Sequence, residues 1–235
     1  MPRHKAKAPR LLKPALWVAC LIPAARLAWR TWSNDLGPNP IEEVTHETGE
    51  ATLILLLVTL AVTPLRRLSG WNRLIQLRRP LGLFAFFYAT LHFSTYIVLD
   101  QFFAFEYILD DIRERPYITV GTAAFLLLIP LAVTSTKGWI RRLGRRWSML
   151  HRLIYVSAAL GVLHYIWLVK ADLRRPLVFA AILALLLLLR TPPARAALGR
   201  ARDAGRAAWR RRIEGRLEAR VEPAAEPAAE RSVPR

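Results

Sequence analysis

The chain has 235 residues, 54% of them hydrophobic, and carries 35 lysines and arginines against 17 acidic residues, a net charge of +18. That charge does not indicate nucleic acid, because the apolar residues come in long blocks and the basic residues lie between them, as topology determinants do. The single cysteine, Cys20, excludes an internal disulfide framework.

Six apolar blocks follow one another, at about 14–30, 51–65, 81–99, 117–134, 148–168 and 176–190. A block of near twenty residues matches a hydrocarbon core of roughly 30 Å, and hydrocarbon leaves backbone polar groups no partner but their own helix. The second block is short, so it is expected to stand upright or to be extended by a snorkelling Arg66. The basic residues fall before the first block (Arg3, Lys5, Lys7, Arg10, Lys13), between the second and third (Arg66, Arg67, Arg73, Arg78, Arg79) and between the fourth and fifth (Lys137, Arg141, Arg142, Arg145, Arg146), and throughout the tail. The other connections are acidic or mixed, with Asp35, Glu42, Glu43, Glu47 and Glu50, then Asp100, Glu106, Asp110, Asp111 and Glu114, then Lys170 and Asp172. The positive-inside rule therefore places both termini in the cytoplasm. The expected fold is all-α, an integral membrane bundle of six transmembrane helices, with the lipid bilayer as a partner and no nucleic acid.

Three regions are expected: a basic cytoplasmic N-terminus at 1–13, a six-helix membrane domain at 14–190, and an Arg/Ala-rich cytoplasmic tail at 191–235. A cleaved signal peptide in "KPALWVACLIPAA" is the competing reading of the first block, and an uncleaved span is preferred because it completes an even topology. In the tail, Trp209, Ile213, Leu217 and Val221 recur every four residues among arginines, the pattern of an amphipathic helix on an anionic membrane face. The closing "PAAEPAAERSVPR" has the composition of a disordered segment. No repeat period is visible.

Five histidines are present. His4 and His46 fall in charged segments, whereas His92, His151 and His164 fall inside apolar blocks, where an ionisable side chain is costly and points to function. Metal or heme ligation, a proton relay and structural hydrogen bonding are the chemistries open to them. A relay recruits buried carboxylates, and none stands in a span core; zinc needs three or four ligands at one depth. At 1.5 Å per residue, His92 lies about 16 Å from the cytoplasmic start of its span, His164 about 24 Å and His151 about 5 Å. His92 and His164 can share a level in the periplasmic half; His151, about 20 Å away along its own helix, cannot. Two imidazoles from neighbouring helices in an apolar slot suit a six-coordinate b-type heme. No C-x-x-C-H occurs, so covalent c-type attachment is excluded. Thirteen residues separate His151 from His164, which leaves them roughly 140° apart on an ideal helix. Either the helix is distorted between them, with Gly161 the weak point, or the two histidines address different sides.

The segments "ATLILLLVTLAVTPLRRLSGW", "RRPLGLFAFFYATLHFSTYIVLDQ" and "RPYITVGTAAFLLLIPLAVTSTKGWIRRLGRRWSMLHRLIYVSAALGVLHYIWLVKAD" together resemble the MsrQ (YedZ) family, over about 48–190. That family is the heme-binding membrane subunit of a periplasmic protein-methionine-sulfoxide reductase system, and it is similar to ferric-reductase and NADPH-oxidase transmembrane domains. The resemblance implies that His92, His151 and His164 are axial ligands of heme b, one heme or two, and that FMN is associated. It implies electron delivery from quinone or a cytosolic flavin reductase to a periplasmic molybdopterin-containing catalytic subunit, in a heterodimer. The sulfoxide chemistry would then lie on the partner, and this chain would be an electron-transfer subunit without catalytic residues of its own. Oxidase-type relatives carry two histidines on each of two helices. Here the third span has only His92, and about four turns before it stands Arg78, so a second ligand opposite His151 is not written in the chain.

Arg78, Arg79 and Arg152 are candidates for heme propionates, an FMN phosphate or a reductase surface, and Lys170 for a propionate; the competing reading is topology charges and lipid contacts. Phe84, Phe86, Phe87 and Phe93 are read as packing. A heme-free proton or metal-ion transporter and a stand-alone metalloreductase are the alternatives.

Overall fold

The computed structural model describes residues 12–221. The basic N-terminus up to residue 11 and the segment after 221, where disorder is expected, lie outside the described residues. Every regular element among them is helical: α1 (Leu12–Trp32), α2 (Pro40–Ser69), α3 (Arg78–Ser94), α4 (Phe105–Glu114), α5 (Pro116–Val133), α6 (Lys137–Leu143), α7 (Arg145–Leu150), α8 (Leu153–Leu168), α9 (Arg174–Leu188) and α10 (Pro192–Val221). A 3-10 turn over Asn72–Leu77 leads into α3, and a π-helical turn over Thr95–Asp100 extends it.

Five helical stretches are long and apolar enough to cross a membrane: Leu12–Trp32, Pro40–Ser69, Asn72–Asp100, Pro116–Val133 and Arg145–Leu168. A sixth is reached only if α9 and α10, bent by 80° to each other, count as one broken span. α9 by itself has 15 residues, about 22 Å of helix, which is less than the hydrocarbon thickness.

α2 is not the short span that hydropathy suggests. It runs for 30 residues, because Asn39 caps it through a bond from the Glu42 N–H (3.3 Å) and Pro40 occupies its first turn. Its acidic first half hides the helix from an apolar window. Gly70 ends it in the left-handed conformation (φ 69°), which a side chain would disfavour. α4 is a second departure: the acidic connection after the third span is an amphipathic helix, with Ile108 buried and Phe105, Tyr107 and Leu109 exposed.

α2 packs along α3 and α5 along α8, and these two pairs build the bundle. The core between them holds Leu53, Leu56, Leu57 and Leu60 of α2 against Ala85 and Ala89 of α3, Leu128 of α5 and Ala158 and Val162 of α8. Gly161 lets α8 close on α2: a Cβ there would meet Leu53 Cδ2 at 3.1 Å. α1 rests outside this core, its Cys20, Leu12 and Leu16 packed in a second cluster with Val62, Leu77, Leu81 and Phe84. The buried Tyr88 hydroxyl donates to the Cys20 carbonyl (2.7 Å) and accepts from the Ala24 N–H (3.0 Å), standing between two groups that would otherwise bond each other in the helix beside Pro23. Arg30 adds ion pairs to Glu43 and Glu47 of α2.

One end of the bundle carries the arginine-rich connections and the other the acidic ones. α10, helical as its four-residue spacing suggests, returns to the basic end of α2, where Arg206 approaches Gly70. Trp209 and Leu217 on it are exposed. The side chain of Val221 is outside the described set.

A candidate heme site between two helix pairs

The site is built from one arrangement used twice. His92 of α3 turns its Nδ1 to the carbonyl oxygen of Thr45 on α2, at 2.8 Å. His164 of α8 turns its Nδ1 to the carbonyl oxygen of Tyr117 on α5, at 2.7 Å. Each bond spans 47 residues. One helical turn after each carbonyl stands a glycine that lets the ring lie on the backbone. A Cβ at Gly49 would fall 3.0 Å from Cε1 of His92, and one at Gly121 would fall 2.7 Å from Nδ1 of His164. No period is visible in the sequence, yet the structure repeats the unit. The repeat is carried by two glycine–histidine pairs, 49 with 92 and 121 with 164, and by backbone oxygens that any residue could supply. Equal glycine-to-histidine spacing was the one signal available.

A carbonyl oxygen can only accept, so each Nδ1 carries the proton and each Nε2 keeps a free lone pair. The two rings face one another with centroids 6.1 Å apart and planes at 76°. Two imidazoles bound to one metal ion at about 2 Å place their ring centroids roughly 6 Å apart. The residues therefore fit a bis-histidine metal centre, and the backbone carbonyls are the outer partners that fix such ligands in orientation. The rings border a cavity of about 370 Å³ that is lined largely by apolar groups, with Phe93 stacked on Phe125 at 4.5 Å. A flat, mostly apolar macrocycle suits that lining. Among the described residues, no group of three or more His, Cys, Asp or Glu could hold a bare metal ion.

The cavity opens toward the acidic end. Glu50, Arg115 and Arg175 line it there, with Glu50 paired to Arg175 at 3.8 Å and Arg115 to Asp111 at 3.1 Å. Hydropathy gave Glu50 only a place among the acidic connections and singled out neither Arg115 nor Arg175, because the Glu50–Arg175 pair joins two helices and the cavity forms only on packing. Glu50 is a carboxylate on a spanning helix at the cavity wall, where none was expected in a span core.

His151 stands elsewhere. It does not belong to α8 but ends α7, in a two-residue break at 151–152. The helix is thus distorted between His151 and His164 as one reading required, but at residue 151 and not at Gly161. An ideal-helix angle between the two histidines does not apply. Its ring stacks on Trp147 (3.9 Å between centroids) and Nδ1 faces the Trp147 carbonyl at 3.1 Å. Its Nε2 is buried without a hydrogen-bond partner. The nearby backbone carbonyl of Leu131 cannot serve an unprotonated ring nitrogen, since both are acceptors.

Arg78, at the start of α3, is half-buried and within electrostatic reach of His151. Arg79, Arg152 and Lys170 are exposed, and none lines the cavity.

Fold and site define a multi-pass helical membrane protein with a cross-bundle histidine pair, and residues 48–162 match the ferric reductase like transmembrane component family. The protein-methionine-sulfoxide reductase heme-binding subunit MsrQ of Herminiimonas arsenicoxydans is 57% identical over 183 residues, covering 77% of this chain and 84% of its own. The MsrQ of Rhodospirillum rubrum is 56% identical over 199 residues (84% and 94%), and that of Xanthomonas campestris pv. campestris 52% over 181 (74% and 83%). The chain belongs to the MsrQ family. No solved structure matches it.

Proposed function

We propose that the chain is the heme-binding membrane subunit of a protein-methionine-sulfoxide reductase, passing electrons across the inner membrane to a periplasmic molybdopterin-containing catalytic subunit. The observation that carries this reading is the His92–His164 pair, with ring centroids 6.1 Å apart and each Nδ1 committed to a backbone carbonyl. The names of the relatives support heme and the repair of methionine sulfoxide.

Heme b supplies one-electron transfer when bound. His92 and His164 would hold its iron, Gly49 and Gly121 give the rings room, and Thr45 and Tyr117 keep the lone pairs inward. Phe93 and Phe125 exclude water from the slot. Arg115 and Arg175 are better placed than Lys170 to pair with the carboxylates of a macrocycle in this cavity. His151, with an unsatisfied Nε2 near the basic end, marks a second station, so that electrons arriving from quinone or a cytosolic flavin reductase find a relay at each depth. Arg78 is within electrostatic reach of it and Arg152 follows it in the chain, and with Arg79 they would offer an FMN phosphate or a reductase a place to dock. With the basic end cytoplasmic, as the charge distribution favours, the histidine pair lies toward the periplasmic partner. The sixth span would be the short α9 continued by its neighbours.

A visible spectrum of the purified chain tests the reading. A dithionite-reducible Soret band, lost in His92→Ala and His164→Ala, is the expected result. Its absence from folded wild-type protein would leave the heme-free transporter standing.

A further inference from the structure

We infer that the basic end of the bundle holds a second binding site, for an oxyanion, built around Arg190 with Arg67, Arg78 and Arg195. The ligand group is a carboxylate or a phosphate.

Pro64 lies inside α2. A proline has no N–H, so the carbonyl of Leu60, four residues earlier in α2, loses its helical donor. Arg190, just beyond α9, reaches across and supplies one: its Nη2 donates to Leu60 O at 2.6 Å. Its Nη1 donates to the Tyr155 hydroxyl at 2.8 Å, and the guanidinium lies over the Tyr155 ring, 5.0 Å from its centroid. The side chain is therefore fixed in one place and one orientation. Its Nε is nevertheless buried with no partner.

Arg67, Arg78 and Arg195 stand within electrostatic reach of that guanidinium, and all act on it repulsively. Among side chains described at this end, the carboxylates are Asp203 and Glu214, both on α10, and Asp203 is already paired with Arg202 at 2.9 Å. Three like charges around a half-buried fourth, with no carboxylate of the described residues paired to it, are costly. Arginines that only set topology extend into water or headgroups; Arg190 is tied inward at both ends of its fork.

A second observation is independent of charge. Among the described residues, four buried side-chain atoms lack a partner: Thr63 Oγ1, Arg66 Nε, His151 Nε2 and Arg190 Nε. All four lie at the basic end. Buried polar atoms are nearly always satisfied, so a cluster of exceptions at one end points to a missing ligand. Three of the four are donors or can be, which asks for an acceptor. Charge and donor geometry together select an oxyanion, for which guanidinium forks are suited.

Three sources share that chemistry: the propionate of a heme on His151, the phosphate of FMN, and the phosphate of a phospholipid. Only the first rests on the role proposed for His151. Tyr155 is four residues after His151, in the first turn of α8, so Arg190 is joined to the helix that follows the histidine across the break.

The test uses the full-length chain in nanodiscs with and without phosphatidylglycerol, as wild type, Arg190→Gln, Arg190→Lys and Arg78→Gln. Three quantities are read: heme per protein with its rate of loss to apomyoglobin, FMN affinity by fluorescence titration, and co-purified phospholipid by mass spectrometry. The heme held by His92 and His164 reports the fold, and Arg78→Gln, which removes no bond to Leu60, covers the case in which Arg190→Gln unfolds. At least one quantity should change tenfold or more in Arg190→Gln, change in the same direction in Arg78→Gln, and recover partly in Arg190→Lys. The quantity that changes identifies the source. All three holding within twofold in folded variants would overturn the site. A wild type with only one heme would remove the role of His151 and leave the two phosphate arms to decide the oxyanion site.

Discussion

The Nδ1 of His92 is bonded to the carbonyl oxygen of Thr45 at 2.8 Å, although Thr45 lies in the acidic first half of a helix whose apolar half begins later. The same relation holds between His164 and Tyr117. Each histidine is oriented by a helix backbone that a glycine lets come close, so ring position depends on two residues without functional groups.

Gly121→Ala should therefore disturb the site more than Gly49→Ala. The added methyl would meet a ring nitrogen at 2.7 Å in the first case and a ring carbon at 3.0 Å in the second. We expect Gly121→Ala to lose most of the heme absorbance and Gly49→Ala to keep a larger share with a shifted midpoint potential. Heme-to-protein ratios and a redox titration read both, and an unaltered spectrum in Gly121→Ala would contradict the close approach.

His92→Ala and His164→Ala should remove the same spectral component, and the double variant should lose little more than either. Two residues acting through one shared centre are not additive. Separable, additive losses in a pyridine hemochrome assay would show that the rings serve different hemes.

His151→Ala is expected to leave the component assigned to His92 and His164 intact while lowering the heme count and halting reduction by a donor on the basic side. Stopped-flow reduction with a flavin reductase, beside iron quantitation, measures this. Unchanged stoichiometry with unchanged rate would show that the histidine is structural.

Tyr88 is 1% exposed and its hydroxyl is the pin between α1 and α3. Removing that oxygen in Tyr88→Phe takes away two hydrogen bonds, but Ala24 N–H and Cys20 O can then re-form their helical bond. The net cost should be about 0.5–1.5 kcal/mol. A lower thermal midpoint, with faster proteolysis between α1 and α2 and no loss of heme, is the expected outcome.

Reporter fusions after residues 70, 140 and 200 should read cytoplasmic, and those near 40, 108 and 172 periplasmic. α4, with Phe105, Tyr107 and Leu109 exposed and Asp111 turned toward Tyr96 and Arg115, would then lie along the outer face of the membrane. A cytoplasmic signal at 108 would invert the assignment of both stations.

What the sequence determined by itself was set by local solvation. Apolar blocks mark helices wherever hydrocarbon is the solvent, basic connections mark one face, and counting residues along helices was enough to put His92 and His164 at one level and His151 at another. Tertiary structure decided the rest. Charge in the first turns of α2 hid the helix that carries Thr45, because hydropathy averages over a window while a cap such as Asn39 acts at one residue. The break at His151 could not be placed, since His151 and Arg152 carry no helix breaker. Above all, Arg190 looked like one more topology charge. Its position follows from a proline 126 residues earlier that frees a carbonyl, the kind of backbone vacancy that only the packing of α9 against α2 can fill.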